Sequence, residues 1–206
     1  MTIAGVLLAG GLSRRMGGGD KNQRTLAGRS ILDHVIERVR PQVATLVLNA
    51  NGDPARFARY GLPVVADVVD GYAGPLAGIL TGMEWAVAHA PDCQWIASFP
   101  TDAPFLPIDL VDRMQQAVAA EGADMACAQS GDRVHPPIAI WPVRLHEALR
   151  RAMLTEDMRK IDRWTARYDI VHVPFNGTDM DPFFNINQAE NLEEAERYVA
   201  ARIDNA

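Results

Sequence analysis

A short apolar run, Thr2 to Leu8, breaks directly into Leu8-Ala9-Gly10-Gly11-Leu12-Ser13-Arg14-Arg15-Met16-Gly17-Gly18-Gly19-Asp20-Lys21. An apolar run of that length, ended by glycine, reads as a buried strand. Glycine lets the following backbone approach a bulky anion and lets successive N–H groups converge on one concavity. Two arginines and a terminal lysine add fixed positive charge to that loop. A strand opening into such a loop suits the phosphates of a nucleoside triphosphate.

The rest of the chain alternates in the same manner. Ser30 to Arg40 reads as a helix, with Ser30 as cap, Asp33 three residues on, and Ile31, Leu32, Val35, Ile36 and Val39 on one apolar face. Pro41 stops it. Val43 to Leu48 reads as a strand, Pro54 to Tyr60 as a short helix and Pro63 to Ala66 as a short strand. Gly74 to His89 is a helix with Leu76, Ile79, Leu80, Met83 and Val87 expected inward. Trp95 to Phe99, Asp124 to Ala128, Pro137 to Trp141 and Ile170 to Val173 read as strands. Helices are expected at Asp109 to Ala120, near Val143 to Met153, and near Ala189 to Ile203. This alternation predicts an α/β fold: one domain over 1–206, a three-layer α/β/α sandwich around a mostly parallel, Rossmann-like sheet. Ligands of such sheets bind at the carboxyl ends of the strands, and the motifs fall there.

Composition narrows the partners. A net charge of -6 on 206 residues argues against a nucleic-acid track or an anionic membrane surface, so the cationic loop is a local small-anion site. Two cysteines, Cys93 and Cys127, are too few for a disulfide framework or a structural zinc and read as buried apolar residues. No run reaches the length of a membrane span and Met1 leads into a strand without a basic region, so a soluble cytoplasmic protein is expected. Residue types are silent on oligomeric state, and a monomer is the expectation carried forward.

The loop is neither a Walker loop, since Lys21 precedes Asn22, nor a dinucleotide fingerprint, since G-x-G-x-x-G is absent from residues 10 to 19. It resembles the signature of nucleotidyltransferases of the glycosyltransferase-A-like fold, L-A-G-G-x-S-x-R-M-G-x-x-K. More narrowly it is similar to the MobA family of molybdenum cofactor guanylyltransferases, L-A-G-G-x-x-x-R-M-G-G-x-D-K. Leu8 to Gly11, Arg15 to Gly18, and Asp20-Lys21 meet every fixed position. The resemblance implies a sheet of the nucleotide-diphospho-sugar transferase type, with GTP and molybdenum-molybdopterin as substrates and Mg²⁺ as cofactor. Proteins that insert molybdenum and mature target molybdoenzymes would be its partners.

Further motifs continue in family order. In Ser98-Phe99-Pro100-Thr101-Asp102-Ala103-Pro104-Phe105, a strand runs into an aspartate flanked by prolines. One rigid carboxylate suits magnesium, which takes few carboxylates plus phosphate oxygens, although an Asp in a proline-rich turn is as ordinary. The resemblance makes Asp102 the metal ligand, with Thr101 standing where many relatives have Cys. Gly74-Pro75-Leu76-Ala77-Gly78 heads a helix; alone it reads as a proline-start helix, and the resemblance makes it a mark of guanine over cytosine. Asn49-Ala50-Asn51 and Asp67 follow two strands. Asx turns would account for them, but a carboxylate also matches the N1–H and N2–H₂ donors of guanine. The resemblance assigns Asn49 and Asp67 to the nucleotide, with Asp70 a close competitor for Asp67. Backbone N–H groups of Ala9 to Gly11, after Leu8, would hold the nucleotide, Arg15 the leaving pyrophosphate, and Lys21 the α-phosphate. His135-Pro136-Pro137-Ile138-Ala139-Ile140-Trp141 and Phe183-Phe184-Asn185-Ile186-Asn187 also resemble family stretches. His135 is given no proton-transfer role. Asn185 or Asn187 would reach metal or acceptor. The family's T-P-E-[DE]-L is here Gln188-Ala189-Glu190-Asn191-Leu192, a departure at a helix start.

Overall fold

The computed structural model describes residues 1–9, 25–71, 74–177 and 179–203. Among these, seven strands form one sheet in the order β5-β4-β1-β6-β8-β7-β9. They are β1 (Ile3–Leu8), β4 (Thr45–Asn49), β5 (Val64–Val65), β6 (Trp95–Pro100), β7 (Met125–Ser130), β8 (Arg133–Pro142) and β9 (Ile170–Pro174). Strand β8 runs antiparallel to both neighbours, and every other pairing is parallel. The remaining strands therefore point one way, and the start of β8 lies at their carboxyl end. The mostly parallel sheet expected from the alternation is present, with one reversed strand.

Helices cover both faces because each strand alternates its side chains across the sheet. Ile3 and Leu7 of β1 join the core under α1 (Ile31–Val39) and α3 (Leu110–Glu121), with Leu32, Val35, Val39, Val111 and Met114. Ala4 and Val6 join the opposite core under α2 (Pro75–His89), α4 (His146–Thr155) and α5 (Ile161–Thr165), with Leu76, Leu80, Met83, Leu149 and Trp164. A third, smaller cluster joins α6 (Ala189–Ile203) to the two-stranded hairpin β2 (Thr25–Leu26) and β3 (Arg29–Ser30), through Leu26, Ile31, Ile186 and Ala195.

Local chemistry explains the helix starts. Ser30 caps α1 as a full capping box: its Oγ accepts from Asp33 N, and the Asp33 carboxylate accepts from Ser30 N. Such a cap is worth about 1 kcal/mol. Pro75 stands in the first turn of α2, behind Gly74 at φ 157°, ψ 163°, a region essentially reserved for glycine.

Val87, expected inward, is 46% exposed; after Leu76, Ile79, Leu80 and Met83 the buried stripe continues at Ala86 instead. Trp141 and Trp164 are fully buried, whereas Trp85 and Trp95 are partly buried. Cys93 and Cys127 are buried free thiols, and desolvation pushes the Cys127 thiol up to about 12. The hairpin at residues 25–30 and the short α5 were not anticipated. Among the described residues no helix is long and apolar enough to cross a membrane.

Candidate active site

The sheet brings the sequence motifs to one end. β1 pairs with β4 and β6 so that Leu8 sits between Asn49 and Pro100. The ladder continues one step past each strand: Ala9 N–H donates to Asn49 O at 2.9 Å, and Ala50 N–H to Val65 O at 2.9 Å. This corrects one expectation. The Ala9 N–H assigned to a nucleotide is already spent on the Asn49 carbonyl. Leu8 O accepts from Thr101 Oγ1 at 3.4 Å, so Thr101 ties β1 to the turn after β6. Gly10, Gly11, Arg14, Arg15 and Lys21 lie outside the described residues.

On one side of this centre stands a polar cluster on β4 and the loop after β5. Asn49, 2% exposed, donates from Nδ2 to Asp67 Oδ1 at 2.9 Å and to Val65 O at 3.3 Å. Asn51 Nδ2 donates to Asp67 Oδ2 at 2.8 Å, and Asp67 N–H returns a bond to Asn51 Oδ1 at 2.9 Å. The expected pair of Asn49 and Asp67 is therefore real as a contact, and Asn51 belongs to it. Asp67, and not Asp70, is the carboxylate held here. Gly78 of α2 packs on the same asparagine: a Cβ there would fall 2.4 Å from Asn49 Oδ1 and 2.7 Å from Leu8 Cδ2. The last glycine of the G-P-L-A-G stretch thus makes room for a protein side chain.

On the other side, Asp102 follows β6 and is half-buried. Its carbonyl accepts from Ile186 N–H at 2.9 Å, which docks residues 181–187 beside it. That segment is anchored again at its start. Ser130 Oγ at the end of β7 donates to Asp181 Oδ2 at 3.1 Å and lies 2.7 Å from His135 Nε2, while Asp181 Oδ1 accepts from Phe183 N–H at 2.9 Å. The His135 ring lies against Phe183, centroids 4.7 Å apart. Burial pushes the His135 imidazole below its ordinary range, with Arg133 acting in the same direction and Asp181 opposing. Between the two anchors, Asn185 Oδ1 is buried with no hydrogen-bond partner among the described residues. Sequence reasoning named both asparagines but did not find this docking, because Ile186 N–H to a carbonyl leaves no side-chain signature.

Asp102 and Asn185 Oδ1 offer hard oxygen donors suited to magnesium. No group of three or more His, Cys, Asp or Glu gathers among the described residues, so a metal held here would need ligand oxygens in addition. Glu190, Glu193, Glu194 and Glu196 are exposed along α6, as expected of a solvated face, and Glu196 Oε1 accepts from Ala27 N–H.

At the carboxyl ends of β1, β4 and β6, the Asn49–Asn51–Asp67 cluster lies on one side of the end of β1 and the Asp102 turn on the other, the strand-end placement at which α/β proteins bind their ligands. Residues 5–171 match the family described as the MobA-like NTP transferase domain, and the chain belongs to that family. It is 58% identical over 192 residues to the molybdenum cofactor guanylyltransferase of Rhodopseudomonas palustris strain BisB5, covering 93% of this chain and 91% of that one. The enzyme of the same name from Bradyrhizobium sp. strain ORS 278 is also 58% identical, over 198 residues, covering 96% and 93%. In fold, the chain is similar to molybdopterin-guanine dinucleotide biosynthesis protein A of Archaeoglobus fulgidus, with TM-score 0.76, 24% identity and coverage of 96% and 99%.

Proposed function

We propose that this chain transfers GMP from GTP to the phosphate of molybdenum-molybdopterin, giving the guanine dinucleotide cofactor and pyrophosphate. The observation that carries the reading is the placement of two different polar ends on one strand-end surface. Asn49 and Asp67 form one end, which would take the base; Asp102 and the docked segment that carries Asn185 form the other, which would take the phosphates and metal; the end of β1 lies between them. The names of relatives at 58% identity support the guanine and pterin assignments.

The acceptor phosphate would attack the GTP α-phosphorus in line, and the bond to pyrophosphate would break. The nucleophile is already an anion, so no general base is needed. Catalysis is then positioning and charge neutralisation. Asp67 would accept from the guanine N1–H and N2–H₂ groups. Asp102 would hold Mg²⁺, and the unpartnered Asn185 Oδ1, one residue from the Ile186 N–H that bonds the Asp102 carbonyl, is a further candidate oxygen donor. When bound, that ion would neutralise charge on the triphosphate. Arg15 would hold the leaving pyrophosphate, and Lys21 would sit against the α-phosphate. Leu8 and the glycines Gly10 and Gly11 would bring the backbone close to the nucleotide.

The test is pyrophosphate release with Mg²⁺ and molybdenum-loaded pterin, supplying GTP, CTP, ATP and UTP in turn. Release with GTP alone is expected, together with loss of turnover in Asp102→Ala and Lys21→Ala at unchanged circular dichroism. Turnover with CTP in preference to GTP would overturn the base assignment; retained turnover in either variant would sink that residue's role.

A further inference from the structure

Asn51 was part of a motif but has had no task, and its hydrogen bonds give it one. Asn49 and Asn51 are two residues apart on an extended segment that the Ala50 N–H to Val65 O bond keeps in register, so they share a face. Both aim an amide at the same carboxylate, Asn49 Nδ2 at Asp67 Oδ1 and Asn51 Nδ2 at Asp67 Oδ2. The Asn51 amide cannot be reversed without losing two bonds, because its Oδ1 accepts from Asp67 N–H. The backbone of Asn51 is itself pinned, its carbonyl accepting from Arg56 Nη2 at 2.9 Å.

The consequence concerns the plane of the carboxylate. One amide on each oxygen fixes rotation about the Cβ–Cγ bond, which is otherwise a soft torsion. Each carboxylate oxygen has two acceptor sites, so each keeps one after taking an asparagine amide. Two remaining acceptors in a fixed plane form a fork for two parallel donors. The guanine edge presents such a pair, N1–H and N2–H. Hypoxanthine, which lacks the 2-amino group, presents one donor.

We propose that Asn51 is a positioning residue that locks the plane of Asp67, so that the site discriminates a purine edge with two donors from one with a single donor. This rests on the reading of Asp67 as the base-recognising carboxylate. An alternative task for Asn51, a plain Asx turn, is chemically distinguishable. Aspartate serves an Asx turn as well as asparagine does. It would keep the acceptor for Asp67 N–H, but it has no N–H to give to Asp67 Oδ2.

The experiment compares kcat/KM for GTP and ITP, at saturating Mg²⁺ and loaded pterin, in the wild type, Asn51→Ala, Asn51→Asp and Asp67→Asn. The wild type should favour GTP by about tenfold or more, the discrimination one buried hydrogen bond supports. Asn51→Ala and Asn51→Asp should both shrink that ratio by about fivefold, the change falling on KM for GTP more than on kcat. Circular dichroism and thermal unfolding check that the exposed substitution leaves the fold in place. A wild-type ratio in Asn51→Asp, with the ratio lost in Asp67→Asn, overturns the inference and leaves the reading of Asp67 standing. A wild-type ratio in Asp67→Asn overturns the reading of Asp67 and the inference with it.

Discussion

Gly78 shows at the scale of one residue how a motif can be legible while its reason is not. The sequence G-P-L-A-G is visible: alone it reads as a proline-start helix, and the family resemblance turns it toward close approach of a ligand. The structure puts Asn49 Oδ1 where a Cβ would stand, at 2.4 Å, and Leu8 Cδ2 at 2.7 Å. Neither neighbour can give way easily. Asn49 is buried and bonded to Asp67 and Val65, and Leu8 lies in the central strand between Asn49 and Pro100. Gly78→Ala should therefore destabilise the fold by about 1–3 kcal/mol, the usual penalty for overpacking a close-packed contact. It should also weaken GTP binding, because the displaced side chain holds Asp67. Urea unfolding and a GTP titration on the same variant check both. A variant with wild-type stability would mean that α2 can shift away from β4 without consequence. Asn49, Asp67 and Asp102 could be picked out through the family resemblance; on residue types alone, Asx turns or a proline-rich turn account for them as well. The part played by Asn51 was not legible, since a second asparagine two residues on looks like an ordinary turn former until its partners are known.

Elements were legible in proportion to their length. The amphipathic pattern of α1 and its capping box could be read directly, and so could the final helix, Ala189–Ile203. The two-residue strands at Thr25–Leu26 and Arg29–Ser30 and the five-residue α5 are too short to show a period. The reversal of β8 is equally invisible in apolar content alone. In that strand the register slips between Cys127 and Ala128 on β7, and Pro136, Pro137 and Ile138 form the irregularity. Buried polar groups stabilise it: Ser98 Oγ donates to Pro137 O at 2.7 Å and accepts from Trp141 Nε1 at 2.8 Å. Next to it, His135 anchors residues 181–187 through Ser130 and Asp181. Burial lowers the His135 pKa from its ordinary 6.5, so the folded protein resists protonation that the unfolded chain accepts. Between the folded and unfolded values the unfolded chain binds more protons, and stability must fall as pH drops below about 6.5. His135→Gln removes the titrating group and keeps a donor for Ser130. Denaturant midpoints measured from pH 7.5 to 5.5 should decline less steeply in His135→Gln than in the wild type. Parallel declines would show that His135 is not the group whose protonation the fold opposes.

At the scale of the whole molecule, strand direction does most to assemble the site. With every strand of the seven-stranded sheet but β8 pointing one way, Leu8, Asn49, Asp67, Asp102, Ser130 and the start of β8 arrive at one end of that sheet, although they are spread over more than a hundred positions of sequence. That convergence was legible, because a parallel α/β sheet places its ligands at the carboxyl ends whatever the residues are. Charge then poses a question that neither topology nor packing answers. The chain carries a net -6, and its substrate is a polyanion, so the overall field opposes binding. Arg14, Arg15 and Lys21 fall within eight positions of one glycine-rich stretch, and in the proposed reading they would attract the same anion. Salt separates the two effects, because screening shortens from about 10 Å at 0.1 M to about 3 Å at 1 M. If the distributed negative charge governed binding, added salt would lower the KM for GTP. If the loop governs, salt raises it. The loop charges would lie against the phosphates while the acidic residues are spread over the surface, so KM should rise severalfold between 0.05 and 0.5 M KCl at fixed free Mg²⁺. Arg15→Gln should flatten that slope. A KM that falls with salt in the wild type would mean that the loop does not grip the triphosphate, and the phosphate assignments of Arg15 and Lys21 would fall with it.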